Sequence, residues 1–151
     1  MKIAIGNDHS AVEMKNEIIA YLEAKGHEMI NFGTDSTESC DYPIYAHRVC
    51  KAILNGEADR GILICGTGIG ISIAANKHKG IRCALCSDPV AASLTRRHNN
   101  SNILAFGARL IGPELAKGIV DAYLETEFSE GERHKRRLGL LADIENGIDI
   151  E

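Results

Sequence analysis

The chain has 151 residues, 44% of them hydrophobic and 25% charged, with a net charge of −4 at pH 7. That is the length of one domain with a full core, and the negative balance gives no electrostatic basis for general nucleic-acid or acidic-membrane binding. No stretch approaches the ~18 consecutive apolar residues of a bilayer span.

Strand-like and helix-like segments alternate along the chain. Residues 2–6 are an apolar run that ends in Asn7-Asp8-His9. Ala11, Met14, Ile18, Tyr21 and Leu22 then recur at spacings of three and four, the stripe of an amphipathic helix. Lys25-Gly26 stops that helix with a cation and a C′ glycine. Residues 27–32 read as a second strand, followed by a polar loop over 36–42. Pro43 suits the first turn of a helix that runs to about Leu54.

Residues 61–65, Gly-Ile-Leu-Ile-Cys, form an apolar run without alternation, which fits a central parallel strand covered on both faces. A glycine-rich turn leads into a helix over 71–78. A fourth strand is expected over 81–86, and Asp88-Pro89 cap the following helix. A fifth strand spans 102–106. The next helix opens at Gly112-Pro113 and carries Leu115, Ile119 and Ala122 on one face. A last helix covers about 131–145.

This alternation predicts a single α/β domain over residues 1–151. Its architecture is a three-layer α/β/α Rossmann-like fold, a five-stranded parallel sheet with helices on both faces. In such sheets a ligand crevice lies outside the carboxyl ends of the strands. The residues to weigh are therefore Asp8-His9, Gly33, 65–70, Ser87-Asp88 and 107–109.

The strongest local signal is Cys65-Gly66-Thr67-Gly68-Ile69-Gly70-Ile71-Ser72. Its glycines let a ligand approach the backbone, and the loop feeds a helix N-terminus that favours anions. It matches neither the dinucleotide fingerprint nor the P-loop. Its N–H groups could hold a phosphate or stabilise an oxyanion, or the segment is a tight turn without ligand. Cys65 sits against that N-terminus, a position that stabilises a thiolate and makes it a usable base or nucleophile.

The five cysteines, an odd number with no secretory leader, point to a reducing cytoplasm instead of a disulfide framework. Cys40, Cys50, Cys83 and Cys86 read as small buried hydrophobes. Cys83 and Cys86 have C-x-x-C spacing, but inside a strand they face opposite ways. No His, Cys and carboxylate spacing suggests a metal.

His98-Asn99-Asn100 precedes the fifth strand and could place an imidazole near the crevice. His9 lies at the same end of the first strand. Arg133 and Arg137 share a helix face with His134, a set suited to phosphate that Arg109 could join. The run Arg133–Arg137 reads equally as a solvated face, or as a surface reaching a partner subunit.

Residues 61–76, Asp41-Tyr42-Pro43, Arg97-His98-Asn99, residues 102–107 and Gly131–Arg137 together resemble the type B ribose-5-phosphate isomerases. The wider family includes galactose-6-phosphate and allose-6-phosphate isomerases. The resemblance runs over essentially the whole chain, in order and spacing. It implies an aldose–ketose isomerase that acts on ribose 5-phosphate, or alternatively on a six-carbon sugar phosphate, and needs neither cofactor nor metal.

The resemblance also implies roles. Cys65 matches the base that moves a proton between C1 and C2. Thr67 and the backbone of Gly66, Gly68, Gly70 and Ser72 match the enediolate-stabilising loop. His98 matches the residue that opens the sugar ring. Asp8 and Asn99 match contacts to sugar hydroxyls. His9, Arg109, Arg133, His134 and Arg137 match a phosphate clamp supplied partly by a second subunit. A homodimer or a dimer of dimers is thereby implied, with the 131–145 helix contributing to a partner's site.

Three rivals stay open: a half-site subunit of a hetero-oligomer, a non-catalytic phosphate- or nucleotide-binding module, and a thiol redox protein.

Overall fold

The computed structural model describes residues 1–151. In chain order the elements are β1 (Lys2–Asn7), a 3-10 turn (His9–Ala11), α1 (Val12–Ala24), β2 (Glu28–Asn31), α2 (Tyr42–Leu54) and β3 (Arg60–Cys65). There follow α3 (Ile69–Ala75), β4 (Cys83–Leu85), α4 (Pro89–Asn99), β5 (Ile103–Gly107), α5 (Pro113–Leu124) and α6 (Glu132–Glu145).

The five strands form one all-parallel sheet in the order β2-β1-β3-β5-β4. Ile5 on β1 pairs with Ile62 on β3, and Ile62 with Leu104 on β5. The non-alternating run of β3 has the two-sided burial that its composition requires. Ile62 and Ile64 pack with Ile18, Leu22, Phe106 and Ile119 on one face. Leu63 and Cys65 pack with Val49, Cys50, Ile71 and Ala75 on the other. Helices α1, α4 and α5 therefore cover one side and α2 and α3 the other, a three-layer α/β/α sandwich. Helix α6 packs on α4. No helix is long and apolar enough to cross a membrane.

Several local expectations hold in detail. Asp88 caps α4, its carboxylate accepting the Ala91 N–H at 2.8 Å, with Pro89 in the first turn. Cys86 joins the first core and Cys83 packs against the second, so the C-x-x-C pair is split between faces of the sheet.

Others are corrected. The fourth strand is only Cys83–Leu85, not 81–86. Before it, the Asn102 side chain accepts the Arg82 N–H at 2.8 Å and takes the place of a ladder bond. The Asn76 amide satisfies both the N–H and the C=O of Cys83 at 2.8 and 2.9 Å, capping the free edge of the sheet.

Helix α3 starts at Ile69, not 71, because Gly68 adopts a left-handed cap (φ 78°) directly before it. In α5 the buried face is Ala116, Ile119, Val120, Tyr123 and Leu124. Leu115 is 42% exposed instead, one residue and so about 100° around the helix from Ala116.

Candidate active site

Strand order reverses between β1 and β3: the chain leaves β1 toward β2 on one side and later returns to place β3 on the other. The crevice rule puts a ligand outside the carboxyl ends of these two strands. A cavity of about 230 Å³ opens there, lined by Asp8, His9, Ser10, Tyr42, Cys65, Gly66, Thr67, Gly70 and Arg109.

Cys65 ends β3 and is 4% exposed. Its Sγ accepts the Gly68 N–H at 3.1 Å. Thr67 Oγ1 accepts the Ile69 N–H at 3.2 Å, and the Ser72 N–H is spent on the Gly68 carbonyl. The N–H groups of Gly66, Thr67 and Gly70 have no protein acceptor, and all three residues line the cavity. Such a cluster of unspent amides at a helix start is a preorganised anion site.

Gly68 is obligatory in this turn. A Cβ there would lie 2.6 Å from both Leu85 Cδ1 and the Phe106 carbonyl carbon. The loop is also tied to the end of β5, since Ala108 donates to the Cys65 carbonyl at 2.9 Å and Arg109 to that of Gly66 at 3.0 Å. This is what carries the exposed Arg109 side chain to the cavity.

On the β1 side, Asp8 Oδ1 accepts both the N–H and the hydroxyl of Ser10, at 3.0 and 2.6 Å. That cap starts the 3-10 turn and holds the carboxylate at the cavity wall. His9 Nδ1 accepts the Cys40 N–H at 3.2 Å. With Nδ1 an acceptor, the neutral ring carries its proton on Nε2, leaving a donor available.

A second cluster lies elsewhere on the chain. A cavity of about 980 Å³ is lined by Arg97, His98, Arg133 and His134 with Ser93, Thr126, Ser129, Gly131 and the carboxylates of Glu125, Glu127 and Glu132. The His98 and His134 rings stack at 4.5 Å, 11° from parallel. Burial, with His98, Arg133 and Arg137 close by, pushes the His134 imidazole below its ordinary range.

The residues singled out from the sequence thus fall into groups. Asp8, His9, Cys65, Gly66, Thr67, Gly70 and Arg109 share one cavity; His98, Arg133 and His134 share another. Gly68 and Ser72 are buried beneath the loop, where the Ser72 hydroxyl donates to the Ile69 carbonyl at 2.8 Å. Asn99 lines a third cavity of about 410 Å³ with Asn76, Arg82 and Cys83. Arg137 lines none of the three but acts electrostatically on His134.

Ser10 and Tyr42 were given no role from the sequence and belong to the Cys65 cavity. Ser10 is found by its capping partner Asp8. Tyr42 is found by Gly70, since a Cβ on Gly70 would meet the Tyr42 ring at 2.7 Å. No three His, Cys, Asp or Glu side chains gather as a metal-binding group.

Comparison with known proteins shows the family of the chain. The ribose/galactose isomerase family model matches residues 3–141. The chain is 54% identical to ribose-5-phosphate isomerase B of Escherichia coli K12, over 95% of this chain and 96% of that one. It is 48% identical to D-erythrulose-4-phosphate isomerase of Pectobacterium atrosepticum, over 87% of each. Among solved structures, ribose-5-phosphate isomerase B of Clostridium thermocellum superposes with a TM-score of 0.95 at 50% identity, over 97% of this chain and 99% of that one. Matches of this extent, on a fold and a glycine-rich loop already found at the strand ends, show that the chain belongs to the ribose/galactose isomerase family.

Proposed function

We propose that this protein interconverts ribose 5-phosphate and ribulose 5-phosphate through a cis-enediolate, with Cys65 as the base. The observation that carries the reading is the Cys65 sulfur at the end of β3, in a cavity that it shares with the unspent amides of Gly66, Thr67 and Gly70. The names of the relatives favour the same reaction class, and two of the three act on ribose 5-phosphate by name.

In the open-chain aldose the Cys65 thiolate removes the proton on C2. The C1 carbonyl oxygen becomes the enediolate oxygen and is met by the loop amides and the Thr67 hydroxyl. The thiol then returns the proton to C1 while the O2 proton passes to O1, giving the ketose. Removing one oxyanion donor from such a site typically costs roughly 10²–10³ in rate. Thiolate and amides together supply the base and the charge stabilisation, so no step calls on a metal or cofactor.

His98 is assigned to opening the furanose ring, and Asp8 and Asn99 to the sugar hydroxyls. His9, Arg109, Arg133, His134 and Arg137 are assigned to the phosphate. Within one chain the Cys65 and His98 clusters line separate cavities. That separation supports a homodimer in which residues 131–145 of one copy complete the site of the other. A reducing cytoplasm suits a catalytic thiol and five free cysteines.

The test is turnover of ribose 5-phosphate with excess EDTA, wild type beside Cys65→Ala. The expected result is wild-type activity that survives the chelator and falls by at least roughly 10²-fold in the variant. An active Cys65→Ala protein removes Cys65 as the base. The relatives' substrates differ in chain length, so kcat/KM for four-, five- and six-carbon sugar phosphates in the same assay ranks the substrates of this chain.

A further inference from the structure

Lys15 lies in the first turn of α1, on the buried face between Met14 and Ile18, and its side chain is completely buried. A buried ammonium is far more costly than a surface one unless its N–H donors find partners. Here Nζ donates to the Thr34 carbonyl at 3.0 Å and pairs with the carboxylate of Asp35. The same Thr34 carbonyl also accepts Asn7 Nδ2 at 3.1 Å, and Asn7 Nδ2 bonds the Asp8 carbonyl at 2.8 Å. One peptide group of the segment after β2 is thus held by two buried side chains, one of which also holds the backbone at the cavity wall. The fit is close: a Cβ on Gly33 would lie 1.8 Å from Asn7 Oδ1.

Beyond this clamp the chain has no regular element until α2 begins at Tyr42. Residues 36–39 are exposed, and local bonds at Ser36 and Glu38 only shape the turn. Yet its far end makes two contacts at the Cys65 cavity. The Cys40 N–H orients the His9 ring, and Tyr42 forms part of the wall. We propose that Lys15 is a positioning residue: its buried ammonium anchors the segment 33–41 so that Cys40 and Tyr42 hold His9 and the cavity wall ready for substrate. The proposal rests on the reading that substrate occupies the Cys65 cavity. Without the anchor, substrate would have to order the segment as it binds, a cost that appears in affinity. The Lys15 ammonium also holds the Asp35 carboxyl below the usual carboxylate range.

The test compares wild type and Lys15→Met, which keeps the apolar stem, by hydrogen exchange with mass spectrometry and by steady-state kinetics on ribose 5-phosphate. The expected result is exchange at 36–41 faster by at least ~10-fold with the β3 and β5 peptides unchanged, and KM raised by ~10-fold, more than kcat falls. In a His9→Ala background the further KM increase from Lys15→Met should be smaller than in wild type, because the route through Cys40 and His9 is already lost and only that through Tyr42 is left. Unchanged exchange at 36–41, or the same KM increase in both backgrounds, overturns the proposal. If Lys15→Met does not fold, Asp35→Ala decides by the same readouts, since it removes only the exposed partner. A wild-type protein inactive on ribose 5-phosphate would fail the functional reading alone, with the exchange measurement still deciding whether Lys15 anchors the segment.

Discussion

The amide of Gly68 donates to the sulfur of Cys65 at 3.1 Å, three residues along the same turn. This bond requires the left-handed backbone of Gly68 (φ 78°), and the same turn leaves the neighbouring amides of Gly66, Thr67 and Gly70 unspent. Gly68→Ala is expected to lower kcat/KM by ~10–100-fold, because the added Cβ meets the Phe106 backbone and moves the loop. Thermal melting should show a loss of about 1–3 kcal/mol. Wild-type kinetics in this variant would mean that the sulfur does not depend on the turn.

The other core thiols should be inert. Burial pushes the Cys50 thiol up to about 12 and, with the charge of Asp88, the Cys86 thiol up to about 11; burial also raises Cys83. At about pH 8 all three stay protonated and unreactive. Iodoacetamide is expected to alkylate Cys65 and the partly exposed Cys40, with inactivation following Cys65 and slowed by ribose 5-phosphate. Peptide mapping by mass spectrometry reads this directly, and labelling of Cys50 at a matching rate would contradict it.

His134 is expected to make the fold sensitive to mild acid. The unfolded imidazole takes its proton near pH 6.5, whereas the folded one does so only at lower pH, owing to burial, His98 and the two arginines. Between those two values the unfolded chain binds more protons than the folded chain, so stability falls as pH drops below about 6.5. The loss levels off once the folded His134 protonates as well. His134→Gln should flatten the decline of melting temperature between about pH 7 and about pH 5; an unchanged slope would assign the acid sensitivity elsewhere.

Two inactive variants should rescue each other if the site is shared between subunits. Cys65→Ala and His98→Ala damage different clusters, so a mixed dimer holds one intact site. Random exchange of subunits is expected to restore about a quarter of wild-type activity. No recovery after verified exchange would place both clusters in a single-chain site.

The residues that carry local chemistry were legible without coordinates. The two-faced run of β3, the turn into α3 and the Asp88-Pro89 cap follow from hydropathy and backbone preference within a few neighbours. The strand ends then mark Asp8, His9, Cys65 and Arg109 as cavity residues. Ser10 and Tyr42 were missed because neither lies at a strand end or in the glycine-rich loop: Ser10 enters the cavity as the capping partner of Asp8, and Tyr42 by packing on Gly70 from far along the chain.

The sequence by itself determined the parallel α/β class and the chemistry available at the ends of the strands, because both depend on short-range periodicity and residue type. Only the tertiary structure decided three things. Strand order β2-β1-β3-β5-β4 put the switch point beside Cys65, which no local pattern encodes. The His98 cluster stands in a cavity apart from the Cys65 cluster, because α4 and α6 carry it to another part of the surface. Lys15, a charged residue on an otherwise apolar stripe, is buried because Thr34 and Asp35 reach it from a loop about twenty residues away. Such a partnership across the fold satisfies the ammonium in a way that helical spacing alone does not show.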